Sequence, residues 1–329
     1  MNALTLIAAM LLTAPAERPQ TVIVVVGAAG EKQYAERFNT WADRWEAAAD
    51  KAGAKLVRIG SGQKTSTADR DVLKQHLNEA AKQPPQALWL VLIGHGTFDG
   101  RKAKLNLRGP DVTAEELAGW LKPLKVPTAV IHCTSASGPF IHRLSAPGRV
   151  IVTATKSGYE HNYARFGDYM SAAIAGNRAN DANDTNIDLD KDGQTSLLEA
   201  YLAASAGVAE FYEQQSRLAT EHALLDDNGD ALGTPADWFR GYRAVRTAKD
   251  GAQPDGLRAN QFVLIRHGSE AAMPAAVRRR RDKLERQVAT LRQNKTKLIE
   301  DDYYRRLEPL MAELGRLYRD LEPAGDRKP

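Results

Sequence analysis

The sequence is poor in three features, and each shortage excludes a class of protein. It has one cysteine in 329 residues, Cys133, so an internal disulfide is excluded, and in an oxidising compartment the lone thiol is a candidate reactive group. Beyond the first twenty residues or so, no apolar run is long enough to cross a membrane. Outside residues 274–329, Lys and Arg number 30 and Asp and Glu number 31. That balance argues against a general nucleic-acid surface.

The N-terminal segment has the pattern of an export signal. Residues 4–12 form an apolar stretch too short to span a bilayer, and residues 14–16 read Ala-Pro-Ala, an A-x-A cleavage site. We expect a signal peptide over residues 1–16, export to the periplasm or the extracellular space, and no membrane span after signal removal. The positive residues that normally begin a signal are missing, so an uncleaved anchor or a simple apolar N-terminus stays open.

Six apolar segments alternate with helical ones over residues 20–273, interrupted by a polar insertion at 177–200. Such alternation indicates a parallel sheet with helices on both faces. The sequence therefore predicts an α/β three-layer sandwich with a mainly parallel six-stranded sheet. The predicted strands are TVIVVVGAAG (21–30), KLVRIG (55–60), ALWLVLIG (87–94), TAVIHC (128–133), GRVIVTAT (148–155) and QFVLIR (261–266).

The C-terminal part of the chain is charged and has a narrow apolar pattern. Apolar residues recur every seven residues within 277–298, and at intervals of three and four within 304–321. This spacing predicts a helical hairpin or coiled coil over residues 274–322, packed on the body or on a protein partner, followed by a disordered tail at 323–329. Pro309 is expected to kink the second helix or to delay its start.

The third and fourth predicted strands end in residues suited to chemistry. His95 follows the third strand between two glycines, and Cys133 ends the fourth. Neighbouring parallel strands bring their carboxyl ends to one edge of a sheet, where ligands bind in open α/β folds. A histidine within reach of a thiol can take its proton and later protonate a leaving amine. We expect Cys133 at that edge as nucleophile, His95 as general base, and the N–H groups of Gly96 and Cys133 as the oxyanion site.

A strand followed by His-Gly, then a strand ending in Cys-x-Ser-x-Ser (CTSAS, 133–137), resembles the caspase-like cysteine peptidases, nearest the legumain branch. The resemblance covers about residues 20–266. It implies a caspase-like fold, peptide or protein substrates, a Cys133 nucleophile and a His95 base. Two positions differ from legumain: Ile131 stands where an acidic residue helps to line the asparagine pocket, and Lys156 stands among otherwise small residues. Lys156 suggests an acidic residue on the amino side of the cleaved bond.

The segment DLDKDGQTSLLE (188–199) matches the EF-hand pattern D-x-D-x-D-G-x5-E. Calcium takes about six to eight oxygen ligands, and this spacing supplies them, so the pattern predicts a bound Ca²⁺. The helix before the loop is expected to end near Ala175, which leaves only the exiting helix. The acidic segment DDNGD (226–230) leaves a second cation site open. The predicted ligands are the side chains of Asp188, Asp190, Asp192 and Glu199, the backbone carbonyl of Gln194 and a water held by Ser196.

These patterns predict an exported cysteine-type endopeptidase, a hydrolase, with a structural calcium site. The open alternative is a non-catalytic calcium-binding or scaffold protein that keeps the same fold. Proximity of the His95 and Cys133 side chains would favour the enzyme, and a wide separation would favour the scaffold.

Overall fold

The structure of the protein is a computed structural model, and it describes four stretches of the chain. These are residues 18–62, 66–176, 187–249 and 252–321. The predicted signal peptide at 1–16, residues 177–186 of the predicted insertion and the predicted tail at 323–329 lie outside the described residues. Among the helices that are described, none combines the length and the apolar character needed to span a membrane.

Short strands and helices alternate along the described chain, and we number them in order. The strands are β1 (Thr21–Val26), β2 (Lys55–Ile59), β3 (Leu88–Ile93), β4 (Gly96–Phe98), β5 (Ala103–Leu105), β6 (Val112–Thr113), β7 (Thr128–Cys133), β8 (Arg149–Thr153), β9 (Leu224–Asp226), β10 (Thr234–Pro235), β11 (Phe239–Arg240) and β12 (Arg243–Ala244). The α-helices are α1 (Lys32–Lys51), α2 (Asp69–Lys82), α3 (Ala114–Leu121), α4 (Pro139–Leu144), α5 (Phe166–Ala175), α6 (Leu197–Gln214), α7 (Leu257–Asn260), α8 (Gly268–Ala272), α9 (Ala275–Gln293) and α10 (Glu300–Leu321). Two 3₁₀ turns lie at Ala236–Trp238 and Lys295–Lys297.

A seven-stranded sheet lies at the centre, in the order β10-β9-β8-β7-β3-β1-β2. The five strands β2, β1, β3, β7 and β8 are parallel to one another. β9 is antiparallel to β8, and β10, at the edge of the sheet, is antiparallel to β9. β1, β3 and β7 are almost fully buried because helices cover both faces, as expected for parallel strands of continuous apolar sequence. The predicted α/β class, the mainly parallel sheet and the C-terminal helices are confirmed.

The predicted sixth strand at 261–266 is wrong. Within that segment only Val263 makes an isolated bridge, to Ser196, and β9 and β10 occupy the sheet positions beyond β8. The apolar residues of the segment serve packing, because Phe262 lies edge-on to the Trp89 ring with centroids 4.7 Å apart. The Gln20 side-chain amide donates to the Leu264 carbonyl at 3.1 Å, so this backbone group bonds to a side chain and not to a neighbouring strand.

Two apolar cores lie on opposite faces of the sheet, because successive side chains of a strand point to opposite faces. One core packs α1, α5 and α6 against the sheet and includes Trp41, Trp45 and Tyr201. The other packs α2, α3 and α4 and includes Leu77 and Phe140. Cys133 belongs to the first core, which decides its chemistry below.

The C-terminal helices α9 and α10 form the predicted hairpin. Their shared core consists of Leu284, Val288 and Leu314. Pro309 lies inside α10, which begins at Glu300, so the expectation that Pro309 delays the second helix is wrong. A proline lacks only its own N–H, and the bonds of the neighbouring turns continue the helix past it.

Candidate functional site

His95 lies just beyond β3, at the carboxyl edge of the sheet. Its Nε2 is 3.2 Å from the carbonyl oxygen of Ala29, which can only accept a hydrogen bond. Nε2 therefore carries the proton, and Nδ1 keeps a lone pair that can act as a base. The imidazole lies edge-on to the rings of Tyr34 (4.9 Å) and Phe38 (5.2 Å), which fix its orientation. Burial lowers the pKa of His95, so the ring is neutral at neutral pH.

Cys133 lies at the carboxyl end of its strand as predicted, but its side chain is buried in the core, and its role as the nucleophile stays a prediction. It is the last residue of β7, has 1% of its surface exposed, and faces the α1 and α5 side of the sheet. A side chain on Gly167 of α5 would overlap both the Trp41 ring and the Cys133 Cβ, which shows how closely this helix covers the thiol. Burial, and then the negative charge of Glu221, raise the pKa of the thiol well above its usual range. A thiol held in this form is a poor nucleophile.

Ser135, which was not selected from the sequence, contacts the residue that follows His95. The pairing of β3 with β7 ends at Ile93 and Cys133, and Ser135 lies in the turn after Cys133. The Ser135 Oγ accepts the Gly96 N–H and donates to the Gly96 carbonyl, both at 3.3 Å. The site edge therefore consists of His95, Gly96 and Ser135.

The loop that carries Ser135 is held tightly in place. Ala136 adopts a left-handed conformation with φ +52°, and its N–H donates to the Glu160 carbonyl at 2.9 Å. The Ser137 N–H donates to the Thr155 hydroxyl at 2.8 Å. Gly96 must be glycine, because a Cβ there would lie 2.2 Å from the Ser135 carbonyl oxygen. Because of this close approach, the Gly96 N–H donates to the Ser135 hydroxyl. Cys133, whose N–H is the other predicted oxyanion donor, lies within β7.

Lys156, the predicted pocket residue, lies on the loop after β8. Its side chain is exposed, and its backbone N–H donates to the Glu160 carboxylate at 2.9 Å. The backbone of Lys156 is so close to Gly138 that a Cβ on the glycine would lie 2.4 Å from the Lys156 carbonyl carbon. The loop is therefore packed against the end of the Ser135 loop, and a role for Lys156 in substrate binding stays a prediction.

The acidic loop brings three of its predicted ligands together. One carboxylate oxygen each from Asp188, Asp190 and Asp192 lies within 4.8 Å of the other two. The Gly193 N–H donates to Asp188 at 2.9 Å, and φ of Gly193 is +81°, which permits the sharp turn. Burial raises the pKa of Asp192, and the charges of Asp190 and Asp188 add to this effect. A divalent cation would relieve that repulsion.

The other two predicted ligands have different neighbours. Glu199 accepts the Leu189 N–H at 2.6 Å with one oxygen and the Ser196 N–H at 2.8 Å with the other, and it forms a capping box at the start of α6. The side-chain amide of Gln194 pairs with the backbone of His267, accepting at 2.8 Å and donating at 3.3 Å. Glu199 is therefore a bridge between the loop and α6, and its role as a calcium ligand stays a prediction.

The second acidic segment is tied to a residue that the sequence analysis missed, Asp255. One Asp255 oxygen accepts the N–H groups of Asp227 (2.9 Å) and Asn228 (3.1 Å), and the other accepts the Thr234 hydroxyl at 2.6 Å. Asp227 in turn accepts the N–H groups of Gly256 and Ala259. Burial, and then the charge of Asp227, raise the pKa of Asp255 to about 8. These carboxylates therefore fasten two loops to each other through backbone amides.

Comparisons with known proteins give distant structural matches. No protein family and no curated protein matches the chain in sequence. The crystal structure of the Drosophila initiator caspase Dronc is similar with a TM-score of 0.41 and 12% identity, covering 63% of this chain and 78% of that chain. The crystal structure of Chaetomium thermophilum Raptor is similar with a TM-score of 0.35 and 8% identity, covering 49% of this chain and 17% of that chain. The chain is thus similar in structure, at low sequence identity, to a caspase.

Proposed function

We propose that this chain is a hydrolase of peptide or protein substrates in which Ser135 is the nucleophile and His95 the general base. The observation that carries the proposal is the Ser135 hydroxyl bonded to Gly96, the residue after a His95 whose tautomer is set by Ala29. The substrate class comes from the His-Gly and Cys-x-Ser-x-Ser motifs described above. Cys133, the nucleophile expected from those motifs, exposes 1% of its surface and Ser135 exposes 3%, so the contact with Gly96, and not exposure, favours Ser135.

The arrangement supports acyl transfer in two halves. His95 Nδ1 takes the Ser135 proton as Oγ attacks the peptide carbonyl, and the Gly96 N–H stabilises the oxyanion. The Ala29 carbonyl keeps its bond to Nε2–H and so stabilises the imidazolium that forms. The proton then passes to the leaving amine, and a water molecule, deprotonated by the same nitrogen, releases the acyl group from Ser135. The Ser135 hydroxyl must rotate away from the Gly96 carbonyl for this to begin.

Covalent labelling separates the two nucleophiles. The folded chain would be treated with a fluorophosphonate, which reacts with activated serines, and separately with peptide acyloxymethyl ketones, which react with activated cysteines. Peptide mass mapping is expected to place a fluorophosphonate adduct on Ser135 and no adduct on Cys133. A ketone adduct on Cys133 in the folded chain would instead support the cysteine peptidase predicted from the motifs.

One observation favours a second candidate, a non-catalytic module that keeps the fold. The Ser135 hydroxyl already occupies the Gly96 N–H, and Ser135 exposes 3% of its surface. A site closed in this way binds a peptide edge without cleaving it unless the hydroxyl rotates. If neither reagent labels the folded chain and no peptide in a mixed library is cut, this candidate replaces the hydrolase.

We also propose that the 188–199 loop binds calcium, supported by the converging carboxylates of Asp188, Asp190 and Asp192. Calcium at millimolar concentration is expected to raise the melting temperature relative to EGTA, because an ion that binds only the folded chain stabilises it by mass action. A dissociation constant of about 10⁻⁴ to 10⁻³ M is typical of extracellular sites. Asp190→Asn should remove the response, while Asp230→Asn, in the second acidic segment, should keep it. Coincident melting curves with and without calcium would show that the loop is a solvated acidic turn.

Export is proposed from the sequence alone. Cleavage after Ala16 would produce a mature chain that begins at Glu17. N-terminal sequencing of the chain recovered from the periplasm or the medium is expected to read Glu-Arg-Pro-Gln. A chain that keeps Met1 and stays with the membrane fraction would instead identify an uncleaved anchor.

A further inference from the structure

One flank of α10, beside the side that packs on α9, carries a half-exposed apolar stripe. Tyr304, Met311 and Tyr318 expose 50%, 45% and 46% of their surfaces. Seven residues are nearly two helical turns, so the three side chains lie on one side of the helix, about 10.5 Å apart. The buried core of the hairpin uses other positions, and of the stripe the Tyr318 hydroxyl donates to Glu285 of α9 at 3.2 Å.

The stripe borders a groove of about 1400 Å³ between the hairpin and the body. Met311 and Leu314 line the groove from α10, Val288 from α9, and Tyr242 and Leu257 from the body. Small-molecule sites have volumes of about 300 to 1,000 Å³, so this groove is large enough for a polypeptide segment. Because Met311 belongs to both the stripe and the groove wall, the two form one continuous apolar surface.

The stripe is symmetric about its own centre. Met311 lies at the middle of α10, which spans Glu300–Leu321, and Tyr304 and Tyr318 lie seven residues to either side. When two such helices cross in antiparallel orientation at Met311, each Tyr304 meets the Tyr318 of the other helix. A two-fold interface requires this kind of self-complementary patch, because each contact must occur twice.

The charges of α10 favour the same orientation. Its first turn is acidic, with Glu300, Asp301 and Asp302, of which Asp302 pairs with Arg305 in the next turn, and its last two turns carry Arg316 and Arg319 together with Asp320. Antiparallel helices place the acidic turn of each copy beside the arginines of the other, whereas parallel helices place like charges together. In the described part of the chain, Arg316 and Arg319 make no ion pair of their own.

We propose that a second copy of this chain docks on this surface, with the two α10 helices antiparallel and Met311 on the two-fold axis. Each apolar stripe then covers the other. The hairpins of the two copies together form a four-helix arrangement, which supplies the larger core that one hairpin lacks.

Sedimentation velocity on the full chain tests the proposal. The wild type is expected to sediment with twice the single-chain mass of 36.1 kDa. Met311→Glu and Met311→Lys should each sediment as monomers, since like charges meet at the axis. An equimolar mixture of these two variants should recover the dimer, because opposite charges then meet. Leu218→Glu, at a side chain with 91% exposure outside the hairpin, is the matched control and should stay dimeric.

Three results would overturn the proposal. The first is a wild type that stays monomeric at high micromolar concentration. The second is a dimer that survives both charge substitutions, and the third is a mixture that does not recover the dimer. Met311→Leu is the control for misfolding. It keeps an apolar side chain and is expected to remain dimeric with an unchanged circular dichroism spectrum.

Discussion

Ser135→Ala is expected to abolish peptide hydrolysis, with a loss of about 10⁴-fold or more in kcat. The substitution removes the hydroxyl that bonds to Gly96, the residue after His95. His95→Ala should cost a similar factor, and the double variant should lose little more, because a nucleophile and its base act as a unit. The measurement is kcat and KM for a peptide that is cleaved in the mixed library, with circular dichroism to show that each variant is folded.

Cys133→Ala is the matched control for this experiment. The thiol is covered by α5 and lies within β7, whereas Ser135 lies in the turn beyond it, so removal of the thiol should leave kcat within a few-fold of wild type. It should lower the free energy of unfolding by about 1 to 2 kcal/mol, because it leaves a small cavity in the core. Activity that survives Ser135→Ala and disappears in Cys133→Ala would identify Cys133 as the nucleophile.

Folding stability is expected to fall as the pH rises from about 5 to 7.5, by about 2 to 3 kcal/mol, because the buried pair of Asp255 and Asp227 holds a proton in the folded chain. An aspartate in the unfolded chain has a pKa near 3.9, whereas burial beside Asp227 raises the pKa of Asp255 to about 8. Between these values the folded chain holds a proton that the unfolded chain has lost. The stabilisation is therefore complete below the unfolded pKa and is lost as the pH rises through the folded one.

Asp255→Asn isolates this effect, because an amide imitates the protonated acid. Its oxygen can still accept from Asp227 and Asn228, and its NH₂ can donate to the Thr234 hydroxyl. Urea unfolding at a series of pH values is expected to show a flatter dependence in the variant than in the wild type. Equal slopes in the two proteins would mean that Asp255 is ionised in the folded state at neutral pH.

The sequence was sufficient to predict the elements whose signals are local. Thr-x-x-Glu at 113–116 is a local capping-box pattern, and the structure has that capping box at the start of α3; the helix before the acidic loop ends at Ala175 as expected. Glu199 shows where a local signal is ambiguous, since Ser-x-x-Glu at 196–199 fits both a capping box and the last ligand of an EF-hand loop. The contacts of Glu199 with Ser196 and Leu189 depend on the packing of α6, which no local pattern encodes.

The burial of Cys133 has a similar physical cause. The motif points to the cysteine, but the depth of a residue in a sheet depends on where strand pairing ends, and the pairing of β3 with β7 continues to Cys133. Ser135 lies in the turn beyond that pairing, where its hydroxyl contacts Gly96. Asp255 was missed because it lies far along the chain from Asp227, and only the folded structure brings the two together.

The buried position of Cys133 gives the chain an internal reporter of its own motions. A thiol reagent reaches the sulfur only when α5 lifts from the sheet, so the labelling rate in native buffer measures how often that layer opens. Slow, single-phase labelling would indicate that α5 separates from the sheet only when the molecule unfolds as a whole. A cysteine introduced on the surface could then carry a spectroscopic probe while the native thiol stays unreacted beneath the helix.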